Sequence, residues 1–334
     1  MSVAATQTTT GRRPRSLAWL RRSATAGLGL AALLLVGGAV VTRVLGASAE
    51  AKFPPLGSFV EIDGLRQHVL EQGSGPPVVF VHGAYGAMQD FAATILDDAS
   101  ADYRCVLWDR PGHGYSERPA APAGPGVQAS ILIELVRRME LDRPLLVGFS
   151  YGGAVCLAAA LEAPDEIRGV VLVNGPTHPW PGPLDIEYRL SEVPLVGWLL
   201  SETVIPPAGH LLADGLSAQA FAPLSVPPAF ERSPLPLALR AASYRANTED
   251  LVLLRPFLRA LSERYPDLRV PVLALVSTRD TVVSPTLHVP QLVEASEQCA
   301  LVPVEGAGHQ LLYTHPELVL RAIDQGSAAH EPHR

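Results

Sequence analysis

Charged residues, lysine and cysteine are all scarce in this chain of 334 residues. Only 18% of the residues are charged and 48% are apolar, a balance that supports a sizeable core and excludes a wholly disordered chain. The three cysteines lie far apart in apolar runs and form no Cys-x-x-Cys pair, so the pattern gives no support to zinc or redox chemistry. We expect Cys105, Cys156 and Cys299 to be buried as small apolar side chains, and we expect no metal ion.

Positive charge is concentrated at one end of the sequence. Residues 1–52 hold seven basic residues and one acidic residue, which leaves a net charge of −13 for residues 53–334. Such an acidic surface repels phosphate backbones, so we expect no nucleic-acid partner. Arginine supplies nearly all of the positive charge because Lys52 is the only lysine, which we attribute to the base composition of the gene rather than to function.

An uncharged apolar run covers residues 23–42 and follows five arginines. Twenty helical residues span about 30 Å, the thickness of the hydrocarbon layer of a bilayer. The run therefore predicts a transmembrane anchor over residues 23–45, with the basic residues 1–22 disordered in the cytoplasm and the rest of the chain on the other side. Cleavage after Ala49 as a signal peptide, followed by secretion, is the alternative; we favour the anchor because the run is longer than a usual signal sequence.

Apolar runs that suit buried strands alternate with helical patterns over the rest of the chain. The predicted strands are residues 59–62, 67–70, 78–81, 104–108, 144–147, 169–173, 272–276 and 300–304, and the predicted helices are 90–97, 127–139, 154–162, 288–297 and 316–324. This alternation predicts an α/β fold with a doubly wound, mostly parallel sheet. We assign residues 57–175 and 247–326 to this core and residues 327–334 to a tail.

Residues 176–246 break the alternation and hold twelve prolines. They also contain apolar patches, and a segment of this length inside a compact domain is usually functional. We interpret it as a cap inserted between two core strands, over the carboxyl edge of the sheet.

The sequence Gly148-Phe149-Ser150-Tyr151-Gly152-Gly153 follows a predicted strand and precedes a predicted helix. A Gly-x-Ser-x-Gly motif between a strand and a helix is typical of a nucleophile elbow, in which glycines permit a tight turn that exposes the serine. The positive end of the following helix also favours an oxyanion beside that serine. We therefore predict Ser150 as a nucleophile.

A serine nucleophile needs a base and a carboxylate that orients the base. His309 follows the last predicted strand, at the edge of an open α/β sheet where sites form. Asp280 follows the preceding predicted strand, and the order Ser, Asp, His suits this motif. The competing position after the strand 169–173 holds Asn174, which cannot act as a carboxylate. Six other histidines lie in the insertion, on predicted helices or in the tail and receive no role: His178, His210, His288, His315, His330 and His333.

Oxyanion donors are predicted at two turns. One is the backbone N–H of Tyr151, directly after the serine. The other lies in the glycine-containing turn His82-Gly83-Ala84-Tyr85-Gly86, where we favour the N–H of Ala84 over that of Tyr85. We expect Tyr85 to contact substrate and His82 to make structural hydrogen bonds.

These motifs, together with Asp109-Arg110-Pro111-Gly112-His113-Gly114-Tyr115-Ser116, resemble the α/β-hydrolase superfamily over residues 57–326. The resemblance implies an eight-stranded, mostly parallel sheet with a helical cap after the sixth strand. It also implies a Ser-His-Asp hydrolase without a cofactor. Relatives that act as haloalkane dehalogenases or epoxide hydrolases carry aspartate where Ser150 stands, so the serine argues against both activities.

The expected function is hydrolysis of carboxylic esters, including lipophilic esters or lactones, with a small apolar molecule as substrate. Carbon–carbon bond hydrolysis or perhydrolase-like chemistry on the same scaffold is the first alternative. A basic residue facing the cavity would favour carbon–carbon cleavage, but nothing in the sequence places Arg189, Arg240 or Arg245 there. A non-catalytic ligand-binding protein is the alternative of another class.

Overall fold

A single sheet of eight strands forms the centre of the molecule. The computed structural model describes residues 15–182, 186–191 and 193–328. The strands, in chain order, are β1 (Ser58–Ile62), β2 (Leu65–Gln72), β3 (Pro77–Val81), β4 (Arg104–Trp108), β5 (Leu145–Phe149), β6 (Gly169–Val173), β7 (Val272–Ser277) and β8 (Cys299–Val304). They confirm the predicted eight-stranded α/β sheet, with strand ends displaced by a few residues at most.

The strand order across the sheet is β1-β2-β4-β3-β5-β6-β7-β8, and every pair is parallel except the two that include β2. The chain leaves β3 toward β4 on one side and leaves the neighbouring strand β5 toward β6 on the other, so the winding direction reverses between β3 and β5. A crevice forms at the carboxyl ends of parallel strands where the winding direction reverses. The loops after β3 and β5 therefore meet at one point of the sheet edge.

Helices cover both faces of the sheet. In chain order they are α1 (Arg15–Lys52), α2 (Gln89–Ala92), α3 (Leu96–Ala99), α4 (Pro125–Arg138), α5 (Tyr151–Glu162), α6 (Ile186–Ser191), α7 (Pro194–Thr203), α8 (Ile205–Phe221), α9 (Leu235–Ala238), α10 (Ala241–Ser262), α11 (His288–Ala295), α12 (Leu311–Thr314) and α13 (Pro316–Ala328). Successive strand residues point to opposite faces. Val79 and Val81 accordingly pack in the cluster that includes α4 and α5, and Val78 and Phe80 in the cluster that includes α13.

The insertion between β6 and β7 is helical, with α6 to α9 and the start of α10 in the predicted cap range. Its predicted end, between Ala246 and Asn247, falls inside α10. This helix continues for 22 residues and packs against α4 as well as α6 and α7. Cap and core are thus joined by one continuous helix.

The N-terminal apolar segment forms one long helix, α1, which begins at Arg15 and ends at Lys52. Its 38 residues correspond to a length of about 57 Å. The prediction of disorder up to residue 22 is wrong for residues 15–22. Extension of a helix that is already nucleated costs little free energy, because leucine, alanine and arginine have high helix propensities. Residues 1–14, which the same prediction covers, lie outside the described residues. Most of the predicted tail, residues 329–334, does so too.

Candidate active site

Ser150 lies on the tight turn that joins β5 to α5. Its backbone dihedral angles are φ 49° and ψ −122°, a region that non-glycine residues rarely adopt and that costs on the order of 1–3 kcal/mol. The glycines of the motif permit this turn by close approach. A Cβ atom on Gly148 would lie 2.7 Å from the Cα of Gly153, and one on Gly152 would overlap the carbonyl oxygen of Val81. The turn holds the serine at the crevice of the sheet.

Three predicted side chains meet above this turn. His309 Nε2 lies 3.0 Å from Ser150 Oγ, and His309 Nδ1 lies 2.7 Å from Asp280 Oδ2. All three residues are buried, with exposed fractions below one tenth. The carboxylate fixes which nitrogen of the imidazole carries the proton, so the other nitrogen is able to accept one from the serine hydroxyl.

The carboxylate of Asp280 is oriented by backbone donors. Its Oδ1 accepts the N–H groups of Val282 at 2.7 Å and Val283 at 2.9 Å, which leaves Oδ2 directed at His309. A carboxylate held in this way presents one defined oxygen to the histidine. The loop after β7 therefore supplies both the acid and its support.

Asn174 occupies the end of β6, where the sequence places an alternative position for the acid. Its Oδ1 accepts the N–H of Ser277 at 2.8 Å, and its Nδ2 donates to Ser277 Oγ and to the carbonyl oxygen of His309, both at 2.9 Å. One buried amide thus ties the end of β7 to the loop that carries the histidine.

The turn after β3 lies directly beside the serine, because a Cβ atom on Gly83 would lie 3.0 Å from the Cβ of Ser150. The N–H of Tyr85 donates to Asn247 Oδ1 at 3.1 Å. This bond engages one of the two N–H groups considered as oxyanion donors in the turn. The N–H of Ala84 is therefore the preferred candidate, opposite the N–H of Tyr151 at the start of α5.

A buried arginine braces this turn from behind. Arg110 Nε donates to the carbonyl oxygen of His82, and its Nη2 to that of Gly83, both at 3.0 Å. Its Nη1 pairs with the buried Asp250, and its guanidinium lies 4.3 Å from the ring centroid of Tyr151. Arg110 thus connects both turns that carry candidate oxyanion donors.

His82 has the structural role predicted for it in this arrangement. Its Nε2 accepts the backbone N–H of Arg110 at 3.0 Å, so its Nδ1 is the protonated nitrogen that donates to the carbonyl oxygen of Gly83 at 2.8 Å. Burial, and then the neighbouring Arg110 and His113, hold the pKa of His82 well below its usual range. The ring is therefore neutral and fixed.

A cavity of about 850 Å³ opens in front of Ser150 and His309. Aliphatic residues of α8 form much of its wall, among them Ile205, Leu212 and Leu216. Among the described residues, none that lines it is an arginine or a lysine, and Asp90 is its one carboxylate. Tyr85 also lines the cavity, with its hydroxyl 3.3 Å from that of Tyr188.

Sequence reasoning gives no role to two polar residues in the cavity wall. Asp90 accepts the hydroxyl of Tyr313 at 2.6 Å, and burial raises the pKa of this carboxyl group to about 6. His288 Nδ1 accepts backbone N–H groups at 3.3 Å, and burial, followed by the nearby His178, lowers its pKa to about 4. Both residues lie on helices, where short-range patterns give no indication of a cavity.

The described part of the chain contains no group of three or more His, Cys, Asp or Glu residues that could hold a metal ion. Cys105, Cys156 and Cys299 are free and buried. Burial alone raises the pKa of the Cys105 thiol to about 12. The thiols are therefore unreactive at neutral pH.

Comparison with known proteins adds a family and several relatives. A family model of the alpha/beta hydrolase fold matches residues 76–316. Haloalkane dehalogenase 2 of Mycobacterium bovis is 28% identical over 270 residues, which cover 77% of this chain and 90% of the dehalogenase.

Two solved structures illustrate the shared fold. The enol-lactonase from Burkholderia xenovorans has 20% identity and a TM-score of 0.63, with 81% of this chain and 99% of the lactonase covered. The meta-cleavage product hydrolase from Pseudomonas fluorescens has 18% identity and a TM-score of 0.64, with 82% and 98% covered. At such identities the likeness extends to the fold alone.

Proposed function

The chain belongs to the alpha/beta hydrolase fold family, and we propose that it is a serine hydrolase that cleaves carboxylic esters through an acyl-enzyme on Ser150. The observation that carries this proposal is the line of hydrogen bonds from Ser150 Oγ through His309 to Asp280 at the wall of an apolar cavity. A serine hydroxyl is a weak nucleophile until a positioned base accepts its proton.

The proposed reaction has two halves. His309 Nε2 accepts the hydroxyl proton as Ser150 Oγ attacks the ester carbonyl, and the N–H groups of Ala84 and Tyr151 stabilise the resulting oxyanion. His309 then protonates the leaving alkoxide and the acyl-enzyme forms. Water, deprotonated by the same nitrogen, hydrolyses this ester and restores the serine.

Haloalkane dehalogenation is a poor fit to this nucleophile. Displacement of a halide by an aspartate gives an ester, which water hydrolyses at the acyl carbon. Displacement by Ser150 would give an ether, which has no acyl carbon and would leave the enzyme permanently alkylated. The similarity to the dehalogenase therefore supports the scaffold and not this activity.

Carbon–carbon bond hydrolysis of diketone-like acids is the second candidate. A charged acid needs a basic partner in the cavity, and the arginines of the cap are directed elsewhere. Arg240 pairs with Glu50 at 2.9 Å and Arg245 with Glu202 at 2.7 Å, while Arg189 is exposed. The largely aliphatic wall, with a carboxyl group at Asp90 and no arginine or lysine among its described residues, favours a neutral ester or lactone over an acid. Perhydrolase-like chemistry would differ from ester hydrolysis only in the acceptor of the acyl group.

We also propose that α1 is retained as a membrane anchor. The helix from Ser23 to Lys52 is long and apolar enough to cross a bilayer. The helix continues through the alternative cleavage position at Ala49, which is buried. Glu50 and Lys52 contact Arg240 and the carbonyl oxygen of Glu231 in the cap. Cleavage after Ala49 would leave Glu50 and Lys52 in the chain but would remove the buried Thr42 and Ala49 and most of the helix that packs on α7, α8 and α9, so this packing supports the anchor over secretion.

An ester panel tests the proposed activity. The full chain should hydrolyse p-nitrophenyl esters, with kcat/KM rising with acyl length as the cavity fills. Ser150→Ala should lower kcat/KM by at least about a thousandfold because the nucleophile is removed. The matched control is Ser130→Ala, a change at an exposed serine on α4, which should retain wild-type rates.

Equal rates for Ser150→Ala and the wild type would contradict the proposal, and activity only on charged diketone acids would favour the second candidate. A folded protein that binds esters without turnover would indicate the ligand-binding alternative.

A further inference from the structure

One face of α1 packs against the cap over the second half of the helix. Between residues 23 and 52, the half-buried and buried residues of α1 are Leu35, Gly38, Ala39, Thr42, Leu45, Gly46 and Ala49. They recur at intervals of three and four residues and so form one stripe along the helix. Every residue from 23 to 34 is exposed. The cap helices α7, α8 and α9 contact α1.

The exposed part of α1 is too short to cross a bilayer by itself. Residues 23–34 cover about 18 Å, whereas the hydrocarbon layer is about 30 Å thick. The layer begins after Arg22, where the arginines end, so it must include residues 35–42 as well. Those residues belong to the stripe that packs on the cap.

The depth of the cap follows from this contact. A Cβ atom on Gly38 would overlap the carbonyl oxygen of Thr203 at the end of α7, so α7 lies directly against α1 at that level. Gly38 is four residues, or about 6 Å along the axis, below Thr42, the last residue of the uncharged run before Arg43. A helix α1 that spans the bilayer therefore carries the end of α7 into the hydrocarbon layer.

The surface of α7 and α8 has the composition of a lipid-facing surface. Leu195 on α7 is 81% exposed and Leu211 on α8 is 86% exposed, and Trp198 and Leu199 are exposed beside them. Residues 194–221 hold only two charged residues, Glu202 and Asp214, and the first is paired with Arg245. A contiguous apolar surface of this kind marks an interaction site.

The same helix borders the cavity. Leu212 and Leu216 on α8 line the cavity and are nevertheless 60% and 59% exposed, and Val282, also in the lining, is 56% exposed. These residues surround an apolar opening on the side of the molecule formed by α8. A substrate that passes between them need not cross an aqueous or charged surface.

We propose that the exposed face of α7 and α8 is embedded in the leaflet crossed by the second half of α1, and that the cavity admits amphiphilic lipid esters directly from that leaflet. The proposal rests on the proposed anchor and hydrolase function and deepens both. A depth of 5–10 Å is usual for helices that lie in a membrane interface, which matches the position of Thr203 beside Gly38.

Depth-dependent quenching tests the embedding on the full-length protein in phosphatidylcholine vesicles. Cysteines introduced by Leu195→Cys and Leu211→Cys carry an environment-sensitive fluorophore, and the three native cysteines are buried and so stay unlabelled in the folded protein. Leu30→Cys reports on the anchor, and Val127→Cys, an exposed apolar position on α4 in the core, is the matched control. Spin-labelled lipids should quench the first three labels at least twofold and leave the label at position 127 unchanged.

The outcomes separate the claims. Quenching at position 30 without quenching at 195 and 211 overturns the embedding and leaves the anchor. No lipid quenching at any of the three positions overturns both. Labels at 195 and 211 that are shielded from aqueous iodide but not quenched by lipid also overturn the proposal, since a second copy or another protein then covers the face. Fluorophosphonate labelling of Ser150 in the same samples measures the hydrolase function independently.

Activity measurements test the access route. Leu195→Asp and Leu211→Asp should lower the hydrolysis of a long-chain ester dissolved in vesicles by at least tenfold. The same variants should hydrolyse a water-soluble butyrate ester within twofold of the wild-type rate, which also shows that they fold. Val127→Asp should change neither rate. If both cap variants hydrolyse the vesicle substrate at the wild-type rate, access from the leaflet is overturned. If a variant also loses butyrate activity, its fold is impaired, and the quenching measurement then tests the embedding of α7 and α8.

Discussion

At the scale of single residues, the position of His309 depends on an amide that does not touch the serine. Asn174 accepts the N–H of Ser277 and donates to the carbonyl oxygen of His309. It does so with a φ of 46°, in the left-handed region that asparagine tolerates better than most residues. Its amide thus fixes the position of the end of β7, which precedes Asp280, relative to the loop that carries His309.

Removal of this amide should impair both stability and turnover. Asn174→Ala leaves buried polar groups unpaired, which costs about 1–3 kcal/mol each, and places alanine at a positive φ. We expect the free energy of unfolding to fall by about 3 kcal/mol in Asn174→Ala. We also expect a fall in kcat of about ten- to a hundredfold with little change in KM, because His309, the proposed base, is misplaced.

The matched variant Asn174→Gly separates the two causes. Glycine adopts the positive φ without strain and still lacks the amide. It should recover part of the lost stability and none of the lost turnover in denaturant unfolding and steady-state kinetics. Wild-type kcat in Asn174→Gly would show that the amide does not position His309.

Asp90 gives the fold a pH dependence that one substitution can isolate. Burial raises its pKa from 3.8 to about 6 in the folded protein, so folding disfavours the ionised form. Its contribution to stability is fully present below pH 4 and is lost as the pH rises through about 6. Over the whole range between these two pKa values, the loss amounts to about 3 kcal/mol.

Asp90→Asn should reduce the loss of unfolding free energy between pH 5 and pH 8 by about 1.4 kcal/mol relative to the wild type, because only the interval from pH 5 to the folded pKa of about 6 contributes. Denaturant unfolding of the full chain in detergent at the two pH values measures this difference. Asp98→Asn, a change at an exposed carboxylate close by on α3, is the control and should retain the wild-type pH dependence. An unchanged pH dependence in Asp90→Asn would contradict the assignment.

At the scale of elements, the contact between α1 and the cap depends on small residues. Gly38 faces the carbonyl oxygen of Thr203, whereas nothing lies within 4 Å of a Cβ atom built on its neighbour Gly37. The two glycines are adjacent in sequence and on different sides of one helix. They therefore form an internal comparison.

Gly38→Ala should weaken the packing of α1 on α7 and lower the free energy of unfolding by about 2 kcal/mol, because backbone must shift to admit the methyl group. Gly37→Ala should be neutral or stabilising by up to about 1 kcal/mol, since alanine is the better helix former. Thermal unfolding of both variants in detergent provides the comparison. Equal effects of the two changes would show that α1 does not pack on the cap as described.

The strands were predictable at this scale and the cap helices were not. Strands such as β5 and β6 are buried on both faces, so each appears in the sequence as a continuous apolar run. The cap has frequent prolines and apolar residues on several sides of its helices, so neither a helical period nor a clear boundary is visible. α10 accordingly crosses the predicted end of the cap.

The candidate site was predictable only where a motif marks it. Ser150, Asp280 and His309 each follow a strand in a recognisable turn, and the structure brings them within hydrogen-bonding distance. Asn247 and Asp90 meet their partners Tyr85 and Tyr313 across 162 and 223 positions of sequence, and no local pattern reports such contacts. The stripe on α1, in contrast, is visible in the sequence as small residues spaced three and four positions apart.

At the scale of the whole molecule, the proposed anchor, the cap and the proposed nucleophile lie in one continuous arrangement. α1 packs on α7 and α8, α8 forms a wall of the cavity, and the cavity ends at Ser150 and His309. The core carries a large negative charge and the apolar surface is confined largely to α1 and the cap. We therefore propose that substrate reaches the serine from the membrane side and not from the face of the core.

Peptide mass spectrometry of the full chain after reaction with a fluorophosphonate tests the central claim, that Ser150 is a nucleophile activated by His309. We predict a phosphonyl adduct on the peptide that contains Ser150, no adduct there in Ser150→Ala, and labelling at least a hundredfold slower in His309→Ala. Folded wild-type protein that carries no adduct on Ser150, or that carries its adduct on another residue, would contradict the account.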